Sequence, residues 1–391
     1  MKLVTFASPQ KGAAYYRQHQ ILKYLYQQGM EIVLLPPPVL WDNDDIINEC
    51  IKHIDNADIF FVWCPPVDLY KFFQDWKSIK QTENKKLKFV FDYDDDLWNV
   101  HPLNPAYAYL GTQDVKVGDE YVFKSGVDVI IHTATGMVSR PFDPVKNSEN
   151  LIKVRQMITL ADKIITPSRY LMGKLGVYRG KKDIIGDVIY IPNGIDNRIF
   201  KRSHKERLDD KVNIVWTLSD SHFPDFAHVR GVIGKVLREN PQAHLYMFGG
   251  QFGVGRDIPL SQLTRIGFNG DMAKYAEALS DIQPDIGLCW VNDNEFNRGK
   301  SILKWGEYTA VGATSCGSRV LYGDYLSDKE CLLADNKEEF GMNLDRLINN
   351  KELRQNVLNN ADNMYREQYI LPVIAEKYKN VFNNLFKEGL Q

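Results

Sequence analysis

Several familiar features are missing from this 391-residue sequence. No apolar stretch is long enough to span a bilayer. The N-terminal run Met1-Lys2-Leu3-Val4-Thr5-Phe6 enters a short strand-like segment without a secretory hydrophobic region. The cysteines Cys50, Cys64, Cys289, Cys316 and Cys331 are scattered, with no C-x-x-C and no paired spacing. That pattern argues against a disulfide framework and for a reducing compartment, so a cytoplasmic protein is expected. Neither charge sign dominates: 48 Lys and Arg against 50 Asp and Glu leave a formal charge of −2. No global field therefore draws the chain onto nucleic acid or an acidic membrane, although a local basic face stays open. G-x-G-x-x-G and Walker motifs are also absent, which removes the main support for a dinucleotide oxidoreductase.

What is present is ordinary globular material, 44% apolar and 25% charged. Its length exceeds one comfortable hydrophobic core, so two domains are expected. Short Val/Ile/Phe-rich runs with little alternation read as strands buried on both faces of a parallel sheet. In the first half they are Leu3–Ala7, Glu31–Leu35, Asp58–Trp63, Phe89–Asp92, Val127–His132, Lys163–Thr166 and Val188–Ile191. In the second they are Asn213–Leu218, His244–Phe248, Thr264–Phe268, Asp285–Trp290, Arg319–Tyr322 and Cys331–Ala334. Amphipathic patterns predict helices over Ala14–Gln28, Phe226–Arg238, Met272–Leu279, Ser301–Val311 and from Lys337 onward. This is the rhythm of two doubly wound α/β halves. Pro192-Asn193-Gly194 and the charged stretch Lys201–Lys211 place the boundary near residues 195–211, with a ligand cleft between the halves. Residues 99–150 break the rhythm, with four prolines and one plausible strand. They read either as a lid or acceptor-recognition element over the cleft or as a surface insertion without a role.

The segment 297–312 is the most informative. Asn297–Lys300 reads as a polar loop and Ser301 as the N-cap of the next helix, which is anion-site geometry. Lys300, Lys304 and Glu307 stand at i, i+4 and i+7 on one face. Two cations and a carboxylate suit a nucleoside diphosphate, the cations on phosphate and the acid on ribose. The competing reading is a surface helix with a Lys304–Glu307 ion pair. After the fourth strand, Asp92, Asp94, Asp95 and Asp96 crowd five positions. One or two of them are expected to orient an acceptor hydroxyl or take its proton, and the others to cap the next helix. A metal-binding Asp-x-Asp is the lesser alternative, since it belongs to a different architecture. Gly12, Tyr16 and Arg17 follow the first strand; Arg17 either meets a phosphate or acceptor or caps its own domain's surface. Ser219 and His222 follow the first strand of the second half and can donate to phosphate or base, with a plain polar loop as the equal competitor. The glycine-rich run Gly249–Gly255 is expected to line the same cleft.

The helix carrying Lys300, Ser301, Lys304, Glu307 and Gly312 resembles the donor-binding helix of retaining GT-B glycosyltransferases, whose hallmark is E-x7-E. Glu307 matches the second, ribose-binding glutamate, and Gly299 stands where the first belongs, with Glu295 out of register. The pattern Asn-x-x-Lys-Ser-x-x-Lys-x-x-Glu-Tyr is similar to a branch with Lys and Ser at the phosphate end. Pro192-Asn193-Gly194-Ile195-Asp196 resembles the interdomain linker, Ala161–Ser168 the strand upstream of it, Phe91–Trp98 an acidic stretch of the same branch, and Leu371–Phe386 the terminal helix that crosses back.

The resemblance implies two Rossmann-like domains: an acceptor domain over 1–196 and a donor domain over 197–370, with residues 371–391 returning to the first. It implies sugar transfer, with retention, from a UDP- or GDP-sugar to an acceptor hydroxyl, with no tightly bound cofactor and no required metal. The acceptor is an envelope glycan, a lipid-linked sugar or a hydroxymethylated DNA base. Lys116, Lys124, Arg140, Lys146 and Lys153 would permit DNA. An inactive nucleotide-sugar-binding protein and a nucleotide-sugar epimerase are the alternatives.

Overall fold

The computed structural model describes all residues except 42, 83–86, 134–135, 180–186, 206–209, 251–252, 269 and 391. In chain order the strands are β1 (Lys2–Phe6), β2 (Glu31–Leu35), β3 (Ile59–Trp63), β4 (Lys88–Asp92), β5 (Val115–Val117), β6 (Glu120–Phe123), β7 (Asp128–Thr133) and β8 (Gly136–Pro141). They continue as β9 (Lys163–Thr166), β10 (Val188–Tyr190), β11 (Val212–Leu218), β12 (Ala243–Gly249), β13 (Leu263–Ile266), β14 (Ile286–Cys289), β15 (Thr314–Ser318) and β16 (Leu332–Ala334). Two six-stranded parallel sheets result, β2-β1-β3-β4-β9-β10 and β13-β12-β11-β14-β15-β16. Each has helices on both faces, so strand residues of both parities are buried. All seven residues of β11 are buried. Ile214 and Trp216 pack on Phe226 and Val229 on one side, and Val215 joins the cluster of Ala276 and Tyr308 on the other.

In each sheet the strand order reverses beside the first strand, which has later strands on both sides: β1 lies between β2 and β3, and β11 between β12 and β14. Such switch points open a crevice at the carboxyl ends of the strands, where doubly wound folds take their ligands. The chain passes between the sheets at Ile195 and returns at Ile370. Ile195 N–H donates to Tyr369 O at 2.8 Å and Leu371 N–H to Ile195 O at 2.9 Å, so the two crossings are hydrogen-bonded side by side. The helix Leu371–Leu390 then lays Ile374, Tyr378, Phe382 and Leu385 on Ile21, Leu25, Phe61 and Val90 of the first half. Among the described residues no helix is long and apolar enough to cross a membrane.

Four sequence expectations need correction. Arg319–Tyr322 is a helix, and the strand before it is Thr314–Ser318. This strand is built of small residues because a Cβ at Gly317 would lie 2.7 Å from Cys289 O, so bulk cannot be accommodated there. Ala14–Gln28 is broken by a π-helical turn at Tyr15–His19. Asn297–Lys300 is largely the short helix Glu295–Arg298, capped by Asn294. Finally, residues 99–150 hold two antiparallel hairpins, β5–β6 and β7–β8, and Val127–His132 contributes to the second instead of to the main sheet.

Candidate functional site

A cavity of about 550 Å³ lies between the two switch points. The turn after β1 brings Gly12 and Tyr16, the segment after β4 brings Asp94 and Asp95, and the turn after β11 brings Ser219 and His222. The stretch leading into helix Leu303–Val311 brings Lys300, Ser301, Lys304 and Glu307. Gly12 has φ +57°, a left-handed conformation that suits glycine. Gly249 is required more stringently. It has φ +88°, and a Cβ there would stand 2.0 Å from Leu218 O, so only glycine lets the ends of β11 and β12 meet. Gly249 and Gly250 line the cavity; Gln251 and Phe252 of the same run lie outside the described residues.

The side chains at the head of this helix are arranged for an anion. Lys304 Nζ is shielded from solvent and has no hydrogen-bond partner among the described residues. Burial, with Lys300 nearby, pushes its pKa down to about 8. An unpartnered buried ammonium is costly unless a ligand completes it. The Lys304–Glu307 ion pair of the competing surface-helix reading does not form, and Glu307 is buried. The Glu307 carboxylate, 4% exposed, accepts at Oε1 from the Tyr16 hydroxyl and at Oε2 from the Tyr275 hydroxyl at 2.9 Å. Burial raises Glu307 to about 7, against the pull of the two tyrosine hydroxyls and Lys304. Ser301 is not the helix cap, since Ile302 precedes the first turn without a side-chain cap. Its Oγ instead accepts from Asn193 Nδ2 at 2.9 Å.

The acidic stretch splits by role. Asp94 and Asp95 are half-buried in the cavity wall. Burial and the neighbouring Asp95 and Asp92 raise Asp94 to about 7, and the Cys64 thiol donates to it at 3.3 Å. Burial also raises Asp95, opposed by Lys300. Asp92 and Arg17, both expected at the cleft, turn away from it into a buried ion pair with 0% and 1% exposure. Arg17 donates bidentately to Asp92 at 2.9 and 2.8 Å, and from a third nitrogen to Ile191 O at 2.7 Å and Asn193 Oδ1 at 3.2 Å. Tyr378 of the terminal helix donates to Asp92 at 2.6 Å. A planar guanidinium meets these fixed acceptors with all three of its nitrogens, so it is consumed structurally. Asp96 is buried too, taking Lys174 Nζ at 2.6 Å and Asn99 Nδ2 at 2.8 Å.

Asn297 also lies outside the cavity wall. Its Nδ2 holds Asp225 Oδ1 at 2.9 Å and Asn292 O at 3.0 Å. Asp225 accepts from His222 Nδ1 at 2.9 Å, so the ring of His222 is oriented from behind. At Gly299 a Cβ would come within 3.2 Å of Phe296 O and 3.3 Å of Asp96 Cβ, which leaves little room for a longer residue beside the acidic segment. Glu295, out of register, is exposed and pairs with Lys174 at 2.6 Å. Sequence reading passed over Tyr275, Asp225 and Asn193. The first two lie on helix faces whose patterns read as core and solvated surface, and only Asn193 carried a signal, in its Pro-Asn-Gly turn. Among the described residues no group of three or more His, Cys, Asp or Glu is placed to hold a metal ion.

No protein-family model matches the sequence, and no curated protein matches it. Solved structures do. The Anabaena protein HepE in complex with UDP is similar at 11% identity, with 98% of this chain and 100% of that chain covered and a TM-score of 0.58. A glycosyltransferase from Rickettsia africae is similar at 11% identity, 99% of each chain and a TM-score of 0.59. An alpha-glucosyltransferase in complex with UDP and a 13-mer DNA containing an HMU base is similar at 9% identity, 97% and 98% of the two chains, and a TM-score of 0.60. At these identities the likeness is one of fold, and with the two facing parallel sheets it establishes the GT-B architecture over nearly the whole chain.

Proposed function

We propose that the chain is a glycosyltransferase that takes a sugar from a nucleoside-diphosphate sugar, with residues 197–370 binding the donor and residues 1–196 presenting the acceptor. The observation that carries this reading is the Lys304 ammonium, buried at the cavity wall without a hydrogen-bond partner among the described residues, beside Lys300 and one turn from Glu307. The diphosphate completes both lysines, and they stabilise the charge that develops on it as the sugar leaves. Glu307 takes the ribose hydroxyls, in exchange for one or both tyrosine hydroxyls. UDP in two of the similar structures supports a nucleotide donor. Retention follows from the sequence resemblance of the donor helix. Asp94 and Asp95, in the same cavity wall as Lys300, orient the acceptor hydroxyl, and Asp94 near neutrality is suited to take its proton.

The acceptor reading we favour is a glycan or lipid-linked sugar hydroxyl. Lys116 and Lys124 stack on Tyr121 among Asp114, Asp119 and Glu120, so this hairpin is no basic face. A gel-shift comparison of unmodified and hydroxymethylated duplex DNA tests the DNA alternative, which the DNA-bound neighbour keeps in view. For the donor, calorimetry with UDP and GDP on wild type and Glu307→Ala is decisive: the variant weakens binding about tenfold or more. Unchanged affinity for both nucleotides removes the assignment.

A further inference from the structure

We propose that His222 takes up a proton when a nucleoside diphosphate enters the cavity, and then holds a phosphate oxygen through Nε2–H. This rests on the nucleotide reading above and adds to it a residue and a proton.

The geometry fixes the imidazole from one side only. Asp225, in the first turn of helix Phe223–Glu239, faces His222 Nδ1 with Oδ2 at 2.9 Å. Its other oxygen accepts from Asn292 N–H at 2.8 Å and Asn297 Nδ2 at 2.9 Å. A carboxylate already held by two N–H donors beside two lysines is ionised and accepts only, so the hydrogen between the two residues belongs to Nδ1. That leaves Nε2 of the neutral ring as a bare lone pair, with no hydrogen-bond partner among the described residues, on a ring that lines the cavity.

The charges around the ring make this the state of the empty site alone. Lys300 and Lys304 face it from the head of helix Leu303–Val311, and Asp225 lies behind it. His101, after β4, senses Asp225 from the other half; Glu307 lies one turn beyond Lys304, and Asp95 shares the cavity wall with Lys300. Burial and the two lysines hold His222 down to about 3, against Asp225. A diphosphate reverses each influence. It neutralises the lysines and brings negative oxygens to the cavity wall, and a lone pair facing a phosphate oxygen repels it. Only the imidazolium matches, donating at both nitrogens to anions. The proton comes from solvent and stays on Nε2 for the life of the complex.

The test is calorimetric titration of UDP and of GDP near pH 6.5, in buffers of different ionisation enthalpy, with wild type, His222→Asn and Glu307→Gln. Asn keeps a side-chain N–H for Asp225 but cannot titrate. Wild type takes up about half a proton more per nucleotide than His222→Asn, on top of whatever Glu307 and the nucleotide itself release. His222→Asn also binds about tenfold more weakly, a deficit that shrinks toward pH 8.5. Glu307→Gln retains the His222 component. Thermal unfolding of His222→Asn reports its fold, and His222→Gln replaces it if folding is impaired. Proton uptake equal in wild type and both His222 variants overturns the proposal and leaves the nucleotide reading intact. Failure of both nucleotides to bind overturns the two together.

Discussion

The Tyr16 hydroxyl, carried by the first half, donates to Oε1 of Glu307 in the second, while Tyr275 holds Oε2 at 2.9 Å. One carboxylate thus links the two halves and, on the proposed reading, also takes the ribose. If ribose takes the place of Tyr16, then Tyr16→Phe tightens UDP or GDP binding a few-fold while lowering stability by about 1–2 kcal/mol. Calorimetry and denaturant unfolding on the same variant check both signs; weaker binding would mean that Tyr16 itself holds the nucleotide.

Glu307 also predicts a pH dependence. Its folded pKa is raised from 4.5 to about 7, so the folded chain binds more protons than the unfolded chain in this window. The associated stability is complete below about pH 4.5 and is lost as pH rises through about 7. Glu307→Gln therefore gains on wild type with rising pH, by roughly 2 kcal/mol at pH 8. Urea midpoints from pH 5 to pH 8 measure this. Parallel curves for the two proteins would contradict it.

Lys304 has the opposite sign. Its pKa is lowered from 10.5 to about 8, so stability is depressed at neutral pH and recovers as pH rises toward the unfolded value. Lys304→Met is expected to stabilise the empty protein by about 2 kcal/mol at pH 7, with the gain fading near pH 10. The same change weakens nucleoside diphosphate binding about a hundredfold and nucleoside binding little, because it removes a charged partner of phosphate alone. Gain of stability with loss of affinity in one variant is the signature of a residue kept for its ligand.

Asp92 and Asp94 separate structure from chemistry. Asp92→Asn strands the Arg17 guanidinium and costs about 3–5 kcal/mol. Asp94→Asn leaves stability within about 1 kcal/mol but slows transfer, and it flattens the rise in kcat/KM that wild type shows through about pH 7. Equal losses of stability in the two variants would place Asp94 with Asp92 as a structural acid.

Much of the fold is legible in the sequence, for a physical reason: strands such as Phe60–Val62 and Val212–Leu218 are buried on both faces and must read as unbroken apolar runs. Thr314–Ser318 escapes that logic, because close packing on Cys289 selects small residues with little strand character, and the apolar Arg319–Tyr322 beside it misleads. At the site, Lys304 and Glu307 are readable from helical spacing; Lys300 precedes the helix instead of sharing its face, yet all three reach the cavity. Arg17 and Asp92 look like cleft residues by position in the chain. Only three dimensions reveal that Ile191, Asn193 and Tyr378 converge on them from distant segments and use up their donors and acceptors.

The central claim is sugar transfer from a nucleotide donor held by Lys304 and Glu307. Mass spectrometry of the protein incubated with UDP- and GDP-sugars, with water and with glycan acceptors, tests it most directly. Release of nucleoside diphosphate from at least one donor is expected, with the sugar on the acceptor or on water, and this activity is lost in Lys304→Met. Donor recovered isomerised without nucleotide release, or turnover undiminished in Lys304→Met, would contradict it.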